Sequence, residues 1–220
     1  MVNFTIKVVS DNVCPWCYIG KRKLERAIEL YKKTYPGGRE DTFTISWSPF
    51  YLDETSPEQG VAILERFAQR FGAERAGAFQ ERLRILGTQE GINFSFAGKL
   101  GNTRDSHRLI QLGKTKGSDV ENRIVTELFR DYFEGTGDIT SYDTLIGVAV
   151  KAGIDGEEVR EWLETGKGGK EVDAEAQEAK RAGISGVPHY TIQGKWEVDG
   201  AQDIPVLMEI FVKVKEETQV

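Results

Sequence analysis

Cys14 and Cys17 are the only thiols in 220 residues, and they stand together as Cys14-Pro15-Trp16-Cys17. A pair at this spacing serves either a metal or disulfide exchange. Zinc asks for four ligands in a tetrahedron, and beyond the cysteines the chain offers only His107, His189 and carboxylates. A structural cross-link across so short a loop would restrict the unfolded chain little. Exchange is the chemistry that also suits the surroundings. The pair follows a strand-like run, Phe4 to Ser10, and precedes a helical pattern from Lys21 to Tyr35. A thiol at the first turn of a helix sees unpaired N–H groups and the positive end of the macrodipole, which favour its anion. Cysteines so placed titrate at roughly 3.5–7.5 instead of about 8.5. Cys14 therefore reads as the nucleophile. Cys17, one turn on and on the same face, reads as the thiol that resolves the mixed disulfide. Pro15 and Trp16 between them would tune the pair and offer substrate a flat apolar surface.

Positioning such a pair takes a frame, and periodicity outlines one. Residues 3–10 and 42–47 alternate as strands and residues 14–35 form the helix between them, a β-α-β unit with a stop at Pro36-Gly37-Gly38. The charged run Lys21-Arg22-Lys23 reads as the solvated face of that helix. From about 56 to 165 the pattern is almost wholly helical. Ser56, Ser118 and Asp155 are each followed three residues later by Gln59, Glu121 or Glu158, the spacing of a capping box. The helix from Ser118 to Glu134 carries Val120, Ile124, Val125, Leu128, Phe129, Tyr132 and Phe133 on one face, a core-facing stripe. A helix at 171–181 then leads through Gly186-Val187-Pro188-His189 to short strands at 190–193 and 195–198 and a last helix at about 202–216.

The motif Cys14-Pro15-Trp16-Cys17, the segments Gly183-Ile184-Ser185-Gly186-Val187-Pro188 and Val198-Asp199-Gly200-Ala201-Gln202, and the stretch Gly101 to Leu109 together resemble the DsbA-like thioredoxin-fold oxidoreductases. Among them the chain is most similar to the FrnE-like branch. The resemblance spans nearly the whole sequence. It implies an α/β, thioredoxin-like fold, β-α-β plus β-β-α around a mixed sheet, with a large all-helical insertion. The thioredoxin-like domain would be discontinuous, 1–55 and 166–220, with 56–165 as the insertion. The resemblance further implies that the Val187–Pro188 bond is cis and stands beside the dithiol, with the backbone of Val187 open to pair with an extended substrate. His189 would then flank the site, or else stand as an exposed residue at a strand edge. In the insertion, Asn102, Thr103 and Arg104 open a helix whose N–H groups are either simply capped or receive an anion such as a carboxylate of glutathione. His107, one turn later, either faces the cleft or packs without a chemical role.

The expected activity is thiol–disulfide exchange with disulfide- or thiol-bearing proteins or peptides. No metal or organic cofactor is expected, and glutathione is a candidate co-substrate. A net charge of −6 with interleaved acids and bases argues against general affinity for nucleic acid or anionic membranes. No apolar run approaches membrane-spanning length, and Met1 to Lys7 carries no targeting pattern, so the expected compartment is the cytoplasm. A dithiol kept there is catalytic or sensing rather than structural. Two rival functions follow from the same features. A glutathione-linked transferase or isomerase, of the kappa-class or 2-hydroxychromene-2-carboxylate isomerase type, would use a serine near the end of the first strand, where Ser10 lies. A redox-switched holdase would use the dithiol only as a trigger.

Overall fold

The computed structural model describes residues 1–218. Strands β1 (Asn3–Ser10) and β2 (Thr42–Pro49) run parallel, joined by helix α1 (Pro15–Thr34). Strand β5 (His189–Ile192) lies antiparallel on the other side of β1, and β6 (Trp196–Asp199) antiparallel to β5, giving the order β2-β1-β5-β6. The register sets Val9 opposite His189 and Val8 opposite Tyr190, so the end of β1 that feeds the cysteines meets the start of β5.

Alternation in β1 decides its faces. Phe4, Ile6 and Val8 are buried while Asn3, Thr5 and Lys7 are exposed. The buried face packs on α1 and on the last helix, α9 (Ile204–Thr218). Phe4 stacks on Phe43 at 4.5 Å and meets Tyr31 of α1 and Phe211 of α9 edge-on at 5.3 and 5.5 Å. The opposite face is capped only near the cysteines, where Val9 and Phe50 pack with Ala179 of α8 (Gly169–Arg181), Ile184 and Val187.

Between the two parts of the sheet lie α2 (Ile63–Phe71), α3 (Ala73–Gln89), α4 (Arg104–Lys116), α5 (Ser118–Glu134), α6 (Tyr142–Lys151) and α7 (Gly156–Glu164). The apolar stripe of α5 is buried from Ile124 to Phe133, with Val120 half-buried. It grips the start of α1. Tyr18, the residue after Cys17, stacks on Phe129 and Phe133 at 5.2 and 5.8 Å and donates to Glu134 at 2.6 Å. The start of α1, which carries the dithiol, is thus packed on the helical segment as well as joined to the sheet.

Four sequence expectations need correction here. The middle segment is not almost wholly helical: β3 (Val61–Ala62) pairs with β4 (Lys99–Leu100), and residues 92–98 run without helix. Ile92, Phe94 and Phe96 are buried and alternate with more exposed neighbours, which is the period of extended chain, not of helix. Ser56 caps no helix, since α2 begins at Ile63 after Ala62. Ser118 is the first residue of α5 behind Gly117, whereas Asp155 does cap α7, accepting from the N–H groups of Glu157 and Glu158 at 3.1 Å. Lys21 is not on a solvated face. It is buried and paired with Glu25, and burial pulls its ammonium below the usual range although Glu25 opposes this.

Candidate active site

Cys14 occupies the N-cap of α1 with extended backbone (φ −88, ψ 112) and Pro15 directly inside the helix, where a missing N–H costs nothing. Its carbonyl accepts from the N–H groups of Cys17 and Tyr18 at 3.1 and 3.4 Å, and its own N–H donates to Asp11 O at 3.1 Å. Both thiols are free. Cys14 Sγ lies 3.6 Å from Val187 O, and the Val187–Pro188 peptide is cis. Gly20 makes this approach possible. A Cβ there would run into the Tyr190 hydroxyl and stand 3.0 Å from Pro188 Cγ.

The two sulfurs differ in surroundings. Cys14, 3% exposed, borders a cavity of about 350 Å³, whereas Cys17, 1% exposed, borders none of it. Burial pushes the Cys17 thiol well above its ordinary value, and its contact with Cys14 adds to the rise, while the Ser10 hydroxyl and the Asp11 backbone pull the other way. The cavity is walled by Trp16, Leu52, Phe67, Phe71, Phe79 and Val187. Charged groups also line it: Arg66 and Arg70 converge on Asp53 at 3.9 and 3.1 Å, and outside the lining Arg82 lies 5.9 Å above the Trp16 ring.

Residues 5–211 match the family described as a DSBA-like thioredoxin domain. The chain belongs to the DsbA-like thioredoxin family. A probable DsbA oxidoreductase from Streptomyces coelicolor is 27% identical and superposes with a TM-score of 0.84 over 97% of this chain and 91% of that one. The uncharacterized protein YwbO of Bacillus subtilis is 26% identical over 200 residues, 89% of this chain and 90% of the relative. A 2-hydroxychromene-2-carboxylate isomerase shares the fold at 14% identity, with a TM-score of 0.68 over 98% of both chains.

Behind the dithiol this DsbA-like chain carries a buried polar cluster. Asn12 Nδ2 donates to Ser106 Oγ at 2.8 Å and lies 3.5 Å from His107 Nδ1, and Ser106 in turn donates to Thr103 O at 2.7 Å. One oxygen of Asp11 accepts from Leu52 N at 2.8 Å, while the other lies 3.7 Å from His107 Nε2. Ser10 Oγ, Asp11 Oδ1 and His107 Nε2 are buried without a hydrogen-bond partner. Of these residues the sequence reading singled out Ser10, Thr103 and His107. The available signal was Asp11-Asn12, two strongly polar residues wedged between an apolar strand and the cysteines.

The remaining site candidates divide. Pro15, Trp16, Val187 and Thr103 border the Cys14 cavity, and Pro188 sits against α1 at Gly20. Asn102 instead caps α4, accepting from Arg104 N at 2.9 Å, and borders a neighbouring cavity of about 300 Å³. Arg104 holds Asp173 with two hydrogen bonds of 2.8 Å. One N–H of the helix start, that of Arg104, is thus taken by the protein's own Asn102. His107 is packed, 4% exposed, and faces Asp11 instead of the cavity. His189 neither flanks Cys14 nor stands exposed at an edge. Strand β5 is interior to the sheet, and its alternation turns His189 to a groove beside Lys7 and Ser185, where Nδ1 pairs with Asp199 Oδ1 at 2.8 Å. Among the described residues no group of three or more His, Cys, Asp or Glu side chains is arranged to hold a metal, and no helix is long and apolar enough to cross a membrane.

Proposed function

We propose that this protein is a thiol–disulfide oxidoreductase in which Cys14 exchanges with disulfide- or thiol-bearing proteins, peptides or glutathione and Cys17 resolves the mixed disulfide. The observation that carries the reading is the asymmetry of the pair: Cys14 Sγ borders the apolar cavity 3.6 Å from Val187 O, with Cys17 one turn behind it and shielded. A substrate disulfide entering the cavity meets Cys14 first. Its extended backbone adds beside Val187, and Leu52 and Phe71, 47% and 51% exposed, offer apolar purchase to its side chains. Attack by Cys14 releases one substrate thiolate, and attack by Cys17 on Cys14 releases the other. The substrate gains two electrons as the dithiol becomes a disulfide, and the reverse sequence oxidises a substrate dithiol.

The setting that goes with this reading is cytoplasmic, where a dithiol serves catalysis or sensing. The segment from Gly101 to Leu109, packed behind the cysteines, supports the FrnE-like branch. The isomerase alternative needs a serine open to substrate. Ser10 is buried and does not border the cavity, which favours exchange. The test is to titrate Cys14–Cys17 in glutathione buffers, reading Trp16 fluorescence, alongside a search for mixed disulfides held by Cys17→Ser. A potential near about −270 mV marks a reductase, and one between about −120 and −180 mV an oxidant or isomerase. Failure to form an intramolecular disulfide, with glutathione-dependent isomerase or transferase turnover surviving Cys14→Ser, would remove the proposal.

A further inference from the structure

The face of the sheet opposite α1 and α9 carries a groove of about 450 Å³ that neither cysteine borders. Strand register lays out its floor. Lys7, Thr191 and Glu197 form one cross-strand row, and Val9, His189 and Asp199 form the next. The rows are two residues apart along each strand, so both point to the same side, away from Phe4, Ile6 and Val8. Helix α8 ends over this floor at Ala182, with Glu178 one turn earlier on the wall. The groove and the Cys14 cavity share Gly186 and Val187. A polypeptide that pairs with Val187 while its cysteine meets Cys14 can therefore run on from the cavity into the groove.

Two independent features of the groove point to a guest that donates hydrogen bonds and carries positive charge. The first is His189, 6% exposed, whose Nδ1 pairs with Asp199 Oδ1 at 2.8 Å. A carboxylate only accepts, so Nδ1 carries the proton of the neutral ring and Nε2 is left as an acceptor, to which nothing donates among the described residues. The second is charge. Glu178, Glu197 and Asp199 border the groove against one ammonium, that of Lys7. Lys7 and Glu197 stand on strands separated by β5, about 10 Å apart, and neither they nor Glu178 enter an ion pair among the described residues. Lys180 and Lys195 are turned away to Glu54 and Glu217. The last carbonyls of α8 add partial negative charge over the floor.

We propose that this groove is a substrate subsite: it receives a lysine or arginine side chain that lies a few residues from the cysteine attacked by Cys14, the cationic head donating to His189 Nε2 and pairing with Glu178 and Glu197. The proposal deepens the exchange reading above and rests on it. It names the substrate class as polypeptides with a basic residue flanking the reactive cysteine. His189 and the groove carboxylates then determine which disulfides react and take no part in the exchange itself. Asp199 acts through His189, fixing the ring so that Nε2 stays an acceptor.

The experiment uses the whole reduced protein and short peptides whose single cysteine is joined through a disulfide to a chromogenic aryl thiol. Cys14 attacks the peptide sulfur, the S–S bond breaks, and the aryl thiolate, the better leaving group, departs with the electron pair and is read by its colour. Each peptide carries Lys, Gln or Glu about three positions before or after the cysteine, a reach of about 10 Å in extended chain. On one side of the cysteine the Lys peptide is expected to react about tenfold faster than the Gln peptide, and the Glu peptide more slowly than either. The ratio is taken within one sample, so a variant's loss of stability does not move it. Glu178→Gln with Glu197→Gln brings the ratio to about one, and Glu197→Lys inverts it in favour of the Glu peptide. Glu29→Gln with Glu40→Gln removes the same charge from exposed positions outside the groove and leaves the ratio at about tenfold. Equal Lys and Gln rates in the wild type, or a preference that survives the groove substitutions or vanishes with the distant ones, overturn the subsite and leave the exchange reading standing. Absence of aryl thiolate release from every peptide overturns the exchange reading itself.

Discussion

Two buried polar clusters sit at opposite ends of β1, and they are built differently. At the start of the strand, Asp41 accepts from Val2 N at 2.6 Å, from the Tyr31 hydroxyl at 2.9 Å and from Lys215 at 2.7 and 2.8 Å. Burial alone would raise its carboxyl, but these hydrogen bonds hold it below the usual range. The cluster ties together the first residues, α1, the turn into β2 and α9. At the end of the strand, Ser10, Asp11 and His107 are equally buried and leave three atoms bare. A satisfied network rigidifies a fold, whereas each unsatisfied buried group costs stability. The same strand thus carries an anchor at one end and leads into the dithiol at the other.

The comparison breaks most visibly at the anchor. Asp41→Asn leaves Lys215 buried without its counter-charge and is expected to lower stability by about 3–5 kcal/mol in denaturant unfolding, with the first thiolate release unchanged. Because the folded carboxyl is held low, the contribution of Asp41 is fully present above its ordinary value and is lost as pH falls through the folded one. The variant should lose that acid limb. Gly20→Ala strains the other end without removing a polar group. Its new methyl meets the Tyr190 hydroxyl and Pro188, and a cost of about 1–3 kcal/mol with slower mixed-disulfide formation is expected.

Glu121 is an intermediate case, a buried carboxylate with a single N–H donor, that of Trp47, at 2.7 Å. Burial pushes its carboxyl up to about 7, against the pull of the Trp47 N–H and Lys114. The folded protein therefore holds a proton that the unfolded chain has lost, and stability falls as pH rises from the ordinary carboxylate range to about 7. Glu121→Gln keeps an acceptor for Trp47 and carries no charge. It should raise the melting temperature at about pH 8, by an equivalent of roughly 2 kcal/mol, and change little at about pH 4. Asp11→Asn should move stability least, by under about 1 kcal/mol, because Leu52 N keeps its acceptor and the bare oxygen had no partner to lose. A stability loss as large as that of Asp41→Asn would make the two clusters alike and erase the contrast drawn between them.

Local pattern made much of this legible. The alternation of Phe4, Ile6 and Val8, the apolar stripe of α5 and the stop at Gly37 each depend on a few neighbouring residues, so they survive without tertiary context. The middle segment misled where extended chain buries Ile92, Phe94 and Phe96 among helices, because a short alternating run carries little weight against its surroundings. Lys21 misled for a different reason. A charged triplet looks solvated until the packing of α1 against the helices around it encloses one member and supplies Glu25 as its partner.

The sequence by itself determined the dithiol, its place at the head of a helix and its membership in a βαβ frame, since spacing and periodicity are properties of adjacent residues. Only the tertiary structure decided which sulfur meets the cavity, that His189 turns to a groove away from Cys14, and that His107 comes to face Asp11 across 96 positions of chain. Those outcomes depend on which buried atoms find partners. A polar atom's partners are chosen by the packing of distant elements, and no local pattern records them.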